Sequence, residues 1–192
     1  MIKIIDNFLE PSYLRLIQKC FETNFPWYYL NNISTPDFSK NNTSFGFYHI
    51  LVLDKKFTNS KFIPVFEKLI FKMLESTELK TILKVRADMT VFSKEETIHQ
   101  PHNDFLAKTD GLSEKFLSAI FYVNDSDGDT VIFNEKRLDK NDKMPDLKDL
   151  TIKEKITPKE NRFVMFSGSY IHTGHSPSNH KNRILINANF DV

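Results

Sequence analysis

The chain has 192 residues, with 26 lysines and arginines against 25 aspartates and glutamates, so its formal net charge is +1. That length predicts one domain with a core of its own, and 40% hydrophobic residues exclude a disordered chain. A near-neutral net charge does not indicate a general basic surface for binding nucleic acid, so we do not expect nucleic acid as a partner. A single cysteine, Cys20, excludes an internal disulfide. No apolar run approaches the ~20 residues of a membrane helix and no signal-peptide pattern is present, so we expect a soluble, cytoplasmic protein without a membrane partner.

The first half of the chain contains two helix patterns. Residues 11–23 place Pro11 at the first helical position, and apolar residues follow at helical spacing. Residues 64–76 repeat the pattern, with Pro64 ahead of an apolar stripe. Between the two helices, residues 31–46 are polar and rich in Asn, Ser and Thr, which predicts a loop.

Short strand patterns fill the second half, at residues 83–92, 116–124, 130–133, 162–166 and 183–190. The turn signal Asp-Ser-Asp-Gly separates the second and third strands, so we expect these two to form a hairpin. The mostly charged residues 135–155 are expected to form an exposed excursion. Alternation along the last strand places Arg183, Leu185, Asn187 and Asn189 on one face.

Two helices followed by many short strands predict a mainly β fold, in which N-terminal helices pack on an antiparallel sandwich or barrel. No shift in composition divides the chain, so we expect a single domain over residues 1–192. Its N-terminal helical support would occupy about residues 1–80, and its β core about residues 81–192.

The most informative cluster is His102-Asn103-Asp104. In an extended segment, side chains at positions i and i+2 point the same way, so His102 and Asp104 can converge on one point. A third ligand must come from another strand, and His172 lies between two strand patterns. His175 is an alternative to His172. Two imidazoles and one carboxylate form the facial triad of non-haem iron(II), although Zn(II), Mn(II) or Ni(II) also accept these ligands.

Arg183 begins an otherwise apolar strand. A buried guanidinium needs an anion to offset its desolvation, and a planar carboxylate pairs with it bidentately. The sequence therefore predicts an anionic ligand close to the metal ligands.

The chain resembles the iron(II)/2-oxoglutarate-dependent oxygenases, and within them the small prolyl-4-hydroxylase-like group, in the stretches KVRADMTVF, HQPHND, LSAIFYVND followed by GDT, and ITPKENRFVMFSGSYIHTGHSPSNHKNRILINANF. These stretches span about residues 84–190. The resemblance implies a double-stranded β-helix of the jelly-roll or cupin-like type. It also implies Fe(II) as the metal, 2-oxoglutarate as the cosubstrate and O2 as the oxidant.

By position, the resemblance makes the H-x-D pair and His172 the iron ligands. Arg183 would then bind the distal carboxylate of 2-oxoglutarate, and the Tyr122 hydroxyl would reach the same carboxylate. Phe92 departs from the family pattern, because relatives often have a second tyrosine there.

The activity implied is hydroxylation of an unactivated C–H bond, with release of succinate and CO2. The subgroup favours a peptide or protein side chain such as proline as the substrate, and a free amino acid or small metabolite is the alternative. Two other classes remain open: a non-catalytic jelly-roll module that holds a metal or an anion, and a Zn(II) or Mn(II) hydrolase or isomerase. Residues 31–46 and 93–101 are expected to act as lids over the substrate.

Overall fold

The computed structural model describes residues 1–31, 33, 45–78, 81–94 and 98–191. Most of the first expected lid and the centre of the second lie outside the described residues. The elements in chain order are β1 (Ile2–Ile5), α1 (Pro11–Glu22), β2 (Tyr28–Leu30), β3 (Gly46–Leu53), β4 (Lys56–Phe57), α2 (Ile63–Glu75), β5 (Thr81–Val91), α3 (Ala107–Asp110), β6 (Leu117–Tyr122), β7 (Thr130–Lys136), a 3₁₀ turn (Leu147–Asp149), β8 (Ile152–Ile156), β9 (Arg162–Ser167), β10 (Tyr170–Gly174) and β11 (Asn182–Asp191).

The two predicted helices are present, each within a residue of the predicted bounds. Both begin with a proline in the first turn, where the missing N–H costs no helical hydrogen bond. Each buries one apolar face: Leu14 and Ile17 in α1, and a four-residue stripe in α2. Within the described residues, no helix has both the length and the apolar composition to cross a bilayer.

Two antiparallel sheets form the body of the molecule. The larger has the strand order β1-β9-β6-β11-β5-β3-β2, with β4 paired to β3, and the smaller has the order β10-β7-β8. Helices α1 and α2 pack on the outer face of the large sheet, and the small sheet packs on its inner face. The predicted fold class, helices supporting a jelly-roll-like pair of sheets, is confirmed.

Strand β11 shows how alternation divides the interior. Its even-numbered apolar residues, among them Ile186 and Phe190, join the core beneath the helices. Leu185 joins the smaller core between the two sheets. The small sheet packs against β6, β9 and β11, whereas the inward side chains of β5 line a cavity instead. This cavity contains the predicted site residues.

The predicted hairpin over residues 116–133 is wrong. Strand β6 pairs with β9 and β11 in the large sheet, while β7 pairs with β8 and β10 in the small one. The segment between them carries the chain from one sheet to the other. A turn signal shows where a chain changes direction, but it does not show which strand will be its neighbour.

The charged excursion and the N-terminal region both contain more strand than predicted. Strand β7 continues to Lys136, and β8 pairs with it although its first four residues, Ile-Lys-Glu-Lys, are exposed. Charge on a solvent-facing strand concealed the pattern. The described part of residues 1–80 contains four strands besides the helices, and β3 is a full member of the large sheet.

Candidate metal centre

His102 and His172 are held together by their own backbones. The N–H of each donates to the carbonyl of the other, at 2.9 and 3.0 Å, and their ring centroids lie 4.7 Å apart. In each ring Nδ1 lies 3.1 Å from a backbone carbonyl two residues earlier, that of Gln100 or Tyr170. A carbonyl oxygen only accepts, so Nδ1 carries the hydrogen. Nε2 is then the atom available to a metal in both rings.

Asp104 completes the group, with Oδ2 3.7 Å from the His172 Nε2. Its carboxylate accepts hydrogen bonds from Asn189 Nδ2 at 2.9 Å, Ser118 Oγ at 3.2 Å and Asn187 Nδ2 at 3.4 Å. Burial alone raises the pKa of Asp104, but the two imidazoles and the Asn189 amide outweigh it and hold the pKa well below its usual range. The carboxylate is therefore anionic and oriented.

Ligand atoms from the three side chains lie within 4.8 Å of one another. Burial, reinforced by the nearby His172, lowers the pKa of His102 to about 4, so this imidazole is neutral at pH 7. Neutral imidazole nitrogens and an anionic carboxylate are the ligands that Fe(II) takes in a facial triad, and the donor set fits that metal. The alternative His175 is not a member of this group.

Arg183 lies in the same cavity and is only 6% exposed. Its Nη2 donates to Thr130 Oγ1 at 2.6 Å. Gly174 leaves room for the guanidinium, because a Cβ at this position would lie only 3.2 Å from Arg183 Nη1. None of the ion pairs found in the described part of the chain involves Arg183. A buried cation with no carboxylate partner is what an anion-binding site requires.

Tyr122 is completely buried beside this guanidinium, with the Arg183 Cζ 5.7 Å from its ring centroid. Its hydroxyl donates to Thr130 Oγ1 at 2.7 Å. Tyr122 is not among the residues that line the cavity, whereas Thr130 is. Phe92 follows β5, is 53% exposed and does not line the cavity either.

The cavity wall includes residues that the sequence patterns did not single out. Thr90 and His99 lie near Arg183, and the asparagines of β11 hold the Asp104 carboxylate. Arg86 and Asp88, two residues apart on β5, form an ion pair of 2.6 Å that is part of the wall. Thr90 lies on the inner face of β5 opposite Arg183 of β11, and the pairing of these two strands could not be deduced from one sequence.

A jelly-roll of two antiparallel sheets holds a His–Asp–His group in one cavity with a buried arginine that has no carboxylate partner among the described residues. This combination defines a class of protein: the mononuclear non-haem metal enzymes that use an anionic cosubstrate. The family model of the 2OG-Fe(II) oxygenase superfamily matches residues 87–191, more than half of the chain. The chain belongs to this superfamily. It is a 2-oxoglutarate-dependent oxygenase of a family that uses Fe(II), 2-oxoglutarate and O2.

Solved structures with the same fold include a prolyl hydroxylase from Trichoplax adhaerens in complex with a hypoxia inducible factor peptide fragment. It has 13% identity and a TM-score of 0.62, over 99% of this chain and 83% of that one. A prolyl-4-hydroxylase from Pseudomonas putida has 14% identity and a TM-score of 0.54, over 99% and 91%. HygX from Streptomyces hygroscopicus, with nickel and 2-oxoglutarate bound, has 11% identity and a TM-score of 0.60, over 99% and 82%. The comparison with curated proteins gives no match.

Proposed function

We propose that this oxygenase hydroxylates an unactivated C–H bond in a peptide or protein side chain such as proline. In the balanced reaction, one O2 and one 2-oxoglutarate convert R–H to R–OH, succinate and CO2. The observation that carries the proposal is that the His–Asp–His group and the buried Arg183 share one cavity. A module that only bound a metal would have no use for that arginine.

The residues divide the work within the cavity. His102, Asp104 and His172 would hold Fe(II), and Arg183 would hold the distal carboxylate of 2-oxoglutarate. When bound, the metal and the cosubstrate supply the activation of O2 and the two electrons that the cosubstrate gives up on decarboxylation. The two backbone hydrogen bonds between His102 and His172 and the three donors to Asp104 fix the ligand atoms before anything binds.

The substrate would enter on the β5–β3 side, because the small sheet packs over β6, β9 and β11. Arg86 and Asp88 line this side, and the Arg86 guanidinium lies 5.8 Å from the centroid of the Tyr48 ring. A paired guanidinium and carboxylate offer donors and an acceptor with no net charge, which suits a neutral amide backbone. The fold shared with two prolyl hydroxylases also favours a peptide.

The test is an anaerobic titration with Fe(II) and 2-oxoglutarate, followed by the weak visible charge-transfer band of the chelate. Wild type should develop the band, and Arg183→Ala should need far more cosubstrate. Arg15→Ala, which removes an exposed arginine of α1, serves as the control. No band with any metal would contradict the proposal and favour a binding module.

The substrate class is tested next, by succinate release in air with prolyl peptides and with free proline. Faster release with peptides supports a peptide substrate. Release with free amino acids alone would favour the small-molecule alternative.

A further inference from the structure

Thr90 lies directly opposite Arg183 in the ladder between β5 and β11. Side chains of directly opposed residues lie on the same face of a sheet, with Cβ atoms about 5 Å apart. Thr90 is 4% exposed, and its buried Oγ1 has no hydrogen-bond partner among the described residues. Both residues line the cavity. A buried hydroxyl without a partner is costly unless a ligand or an ordered water satisfies it.

Thr130 offers a second hydroxyl to the same space. Its Oγ1 accepts one hydrogen bond from Arg183 Nη2 and another from the Tyr122 hydroxyl. A hydroxyl has two acceptor sites and one hydrogen. Because both acceptor sites are used, the Thr130 hydroxyl can interact with a further group only by donating its hydrogen. Thr130 lines the cavity, so that group can be a ligand in the cavity.

Tyr122 and Phe92 are less suited to contact a ligand here. The Tyr122 hydroxyl hydrogen is used on Thr130, and Tyr122 is absent from the cavity wall. Phe92 has no hydroxyl and is half exposed. The cavity wall beside Arg183 therefore presents the hydroxyls of Thr90 and Thr130, and neither of these aromatic side chains.

We propose that Thr90 and Thr130 donate their hydroxyl hydrogens to the distal carboxylate of 2-oxoglutarate beside Arg183, and that Tyr122 is a positioning residue that acts through Thr130. A carboxylate accepts about four hydrogen bonds. The guanidinium supplies the bidentate pair, and the two threonines supply the remaining donors from opposite sides. This inference rests on the proposed function, since it needs 2-oxoglutarate to bind in this cavity.

The experiment measures the dissociation constant of 2-oxoglutarate from the anaerobic charge-transfer band, in wild type, Thr90→Val, Thr130→Val and Tyr122→Phe. A hydrogen bond to a charged group contributes enough that its loss weakens binding about tenfold to a hundredfold. We expect a loss of that size for each valine variant and a smaller loss for Tyr122→Phe. Thr90→Ser keeps the hydroxyl and should bind nearly as wild type does.

The matched control is the ligand 2-oxopentanoate, which chelates the metal in the same way but has no distal carboxylate. Its dissociation constant should be the same in wild type and in each threonine variant, which also shows that the variants fold. An equal loss with both ligands would overturn the proposal, as would Thr90→Val binding 2-oxoglutarate normally. A larger loss for Tyr122→Phe than for Thr90→Val would assign the contact to the tyrosine instead. If wild type shows no band with either ligand, the proposed function itself is contradicted, and this inference is contradicted with it.

Discussion

His99 is a buried imidazole that the H-x-D pattern gave no reason to select. Its ring lines the cavity, and its Nε2 lies 3.0 Å from Ser176 Oγ. Burial, reinforced by the charge of Arg183, lowers its pKa to about 3, so the ring is neutral at pH 7. This neutrality leaves Arg183 as the cation for an anion at this end of the cavity.

The low pKa of His99 makes the apoprotein less stable as the pH falls. An unfolded histidine takes up a proton near pH 6.5, whereas the folded one does so only near pH 3. Between those values the unfolded state holds the extra proton, so stability decreases by about 1.4 kcal/mol per pH unit. His99→Gln removes this contribution and can keep a hydrogen bond to Ser176. From pH 7 to pH 5, urea unfolding should show wild type losing about 2 kcal/mol more than the variant. Equal losses would contradict the assignment.

Arg86 and Asp88 form an ion pair that is mostly buried, with side chains 22% and 16% exposed. Burial raises the pKa of Asp88, and the charge of Arg86 opposes that rise. Arg86→Gln would leave the carboxylate without its partner, at a cost of about 3 kcal/mol in unfolding free energy. Asp88→Asn in the same chain should recover much of this loss. Urea unfolding of the two single variants and the double variant measures the coupling, and simple additivity would contradict it.

For single residues, a sequence predicts which side chains lie close together within one extended segment. The i, i+2 rule places His102 beside Asp104, and Arg86 beside Asp88, because both pairs lie within a single extended segment. The contact between Arg183 and Thr130 depends on how distant segments meet, and no local pattern specifies that.

The turn between β9 and β10 is hydrogen-bonded to the segment that carries two of the candidate metal ligands. The Asn103 amide donates to the carbonyls of Gly168, Ser169 and Tyr170 at 3.1–3.3 Å, so the residue between two ligands holds the turn that leads to the third. Gly168 is required there, because a Cβ would overlap the completely buried ring of Phe116.

Gly168→Ala should therefore destabilise the protein by about 1–3 kcal/mol through overpacking. It should also weaken metal binding, because the turn moves with its contacts to Asn103. Thermal unfolding and a metal titration measure the two effects. Phe116→Leu in the same chain makes room for the new methyl group, so the double variant should be more stable than the sum of the single changes predicts. A fully additive result would show that the ring is not the obstacle.

The elements themselves were predictable wherever the chain follows one local rule. Proline and helical spacing located α1 and α2, alternation located β5 and β11, and an apolar run ahead of a turn signal located β6. The same reasoning failed for β8, where Lys and Glu face solvent on both sides of the strand, and for the expected hairpin, whose two strands belong to different sheets. Pairing across sheets is determined by the whole chain, because strands far apart in sequence compete for the same neighbours.

Across the whole molecule, the large sheet joins the two ends of the chain. Strand β1 pairs with β9, and β11 lies at the centre of the same sheet. Side chains from α1, α2 and five of the strands, β3, β5, β6, β9 and β11, share one core. We therefore expect the N-terminal helical region, residues 1–80, to fold as one unit with the β core. The single-domain prediction requires this.

That unit should unfold in one transition, and ligands at the metal centre should stabilise all of it. A ligand at a hundred times its dissociation constant adds about 2.7 kcal/mol, which raises the Tm of a chain of this size by about 5–10 °C. Calorimetry of the apoprotein, and of protein with Fe(II) and 2-oxoglutarate under anaerobic conditions, should show one peak that moves as a whole. Asp104→Asn, which weakens the ligand set, should show a single peak with a much smaller shift. Two peaks, of which only one responds to the ligands, would mean that the N-terminal region folds separately from the β core.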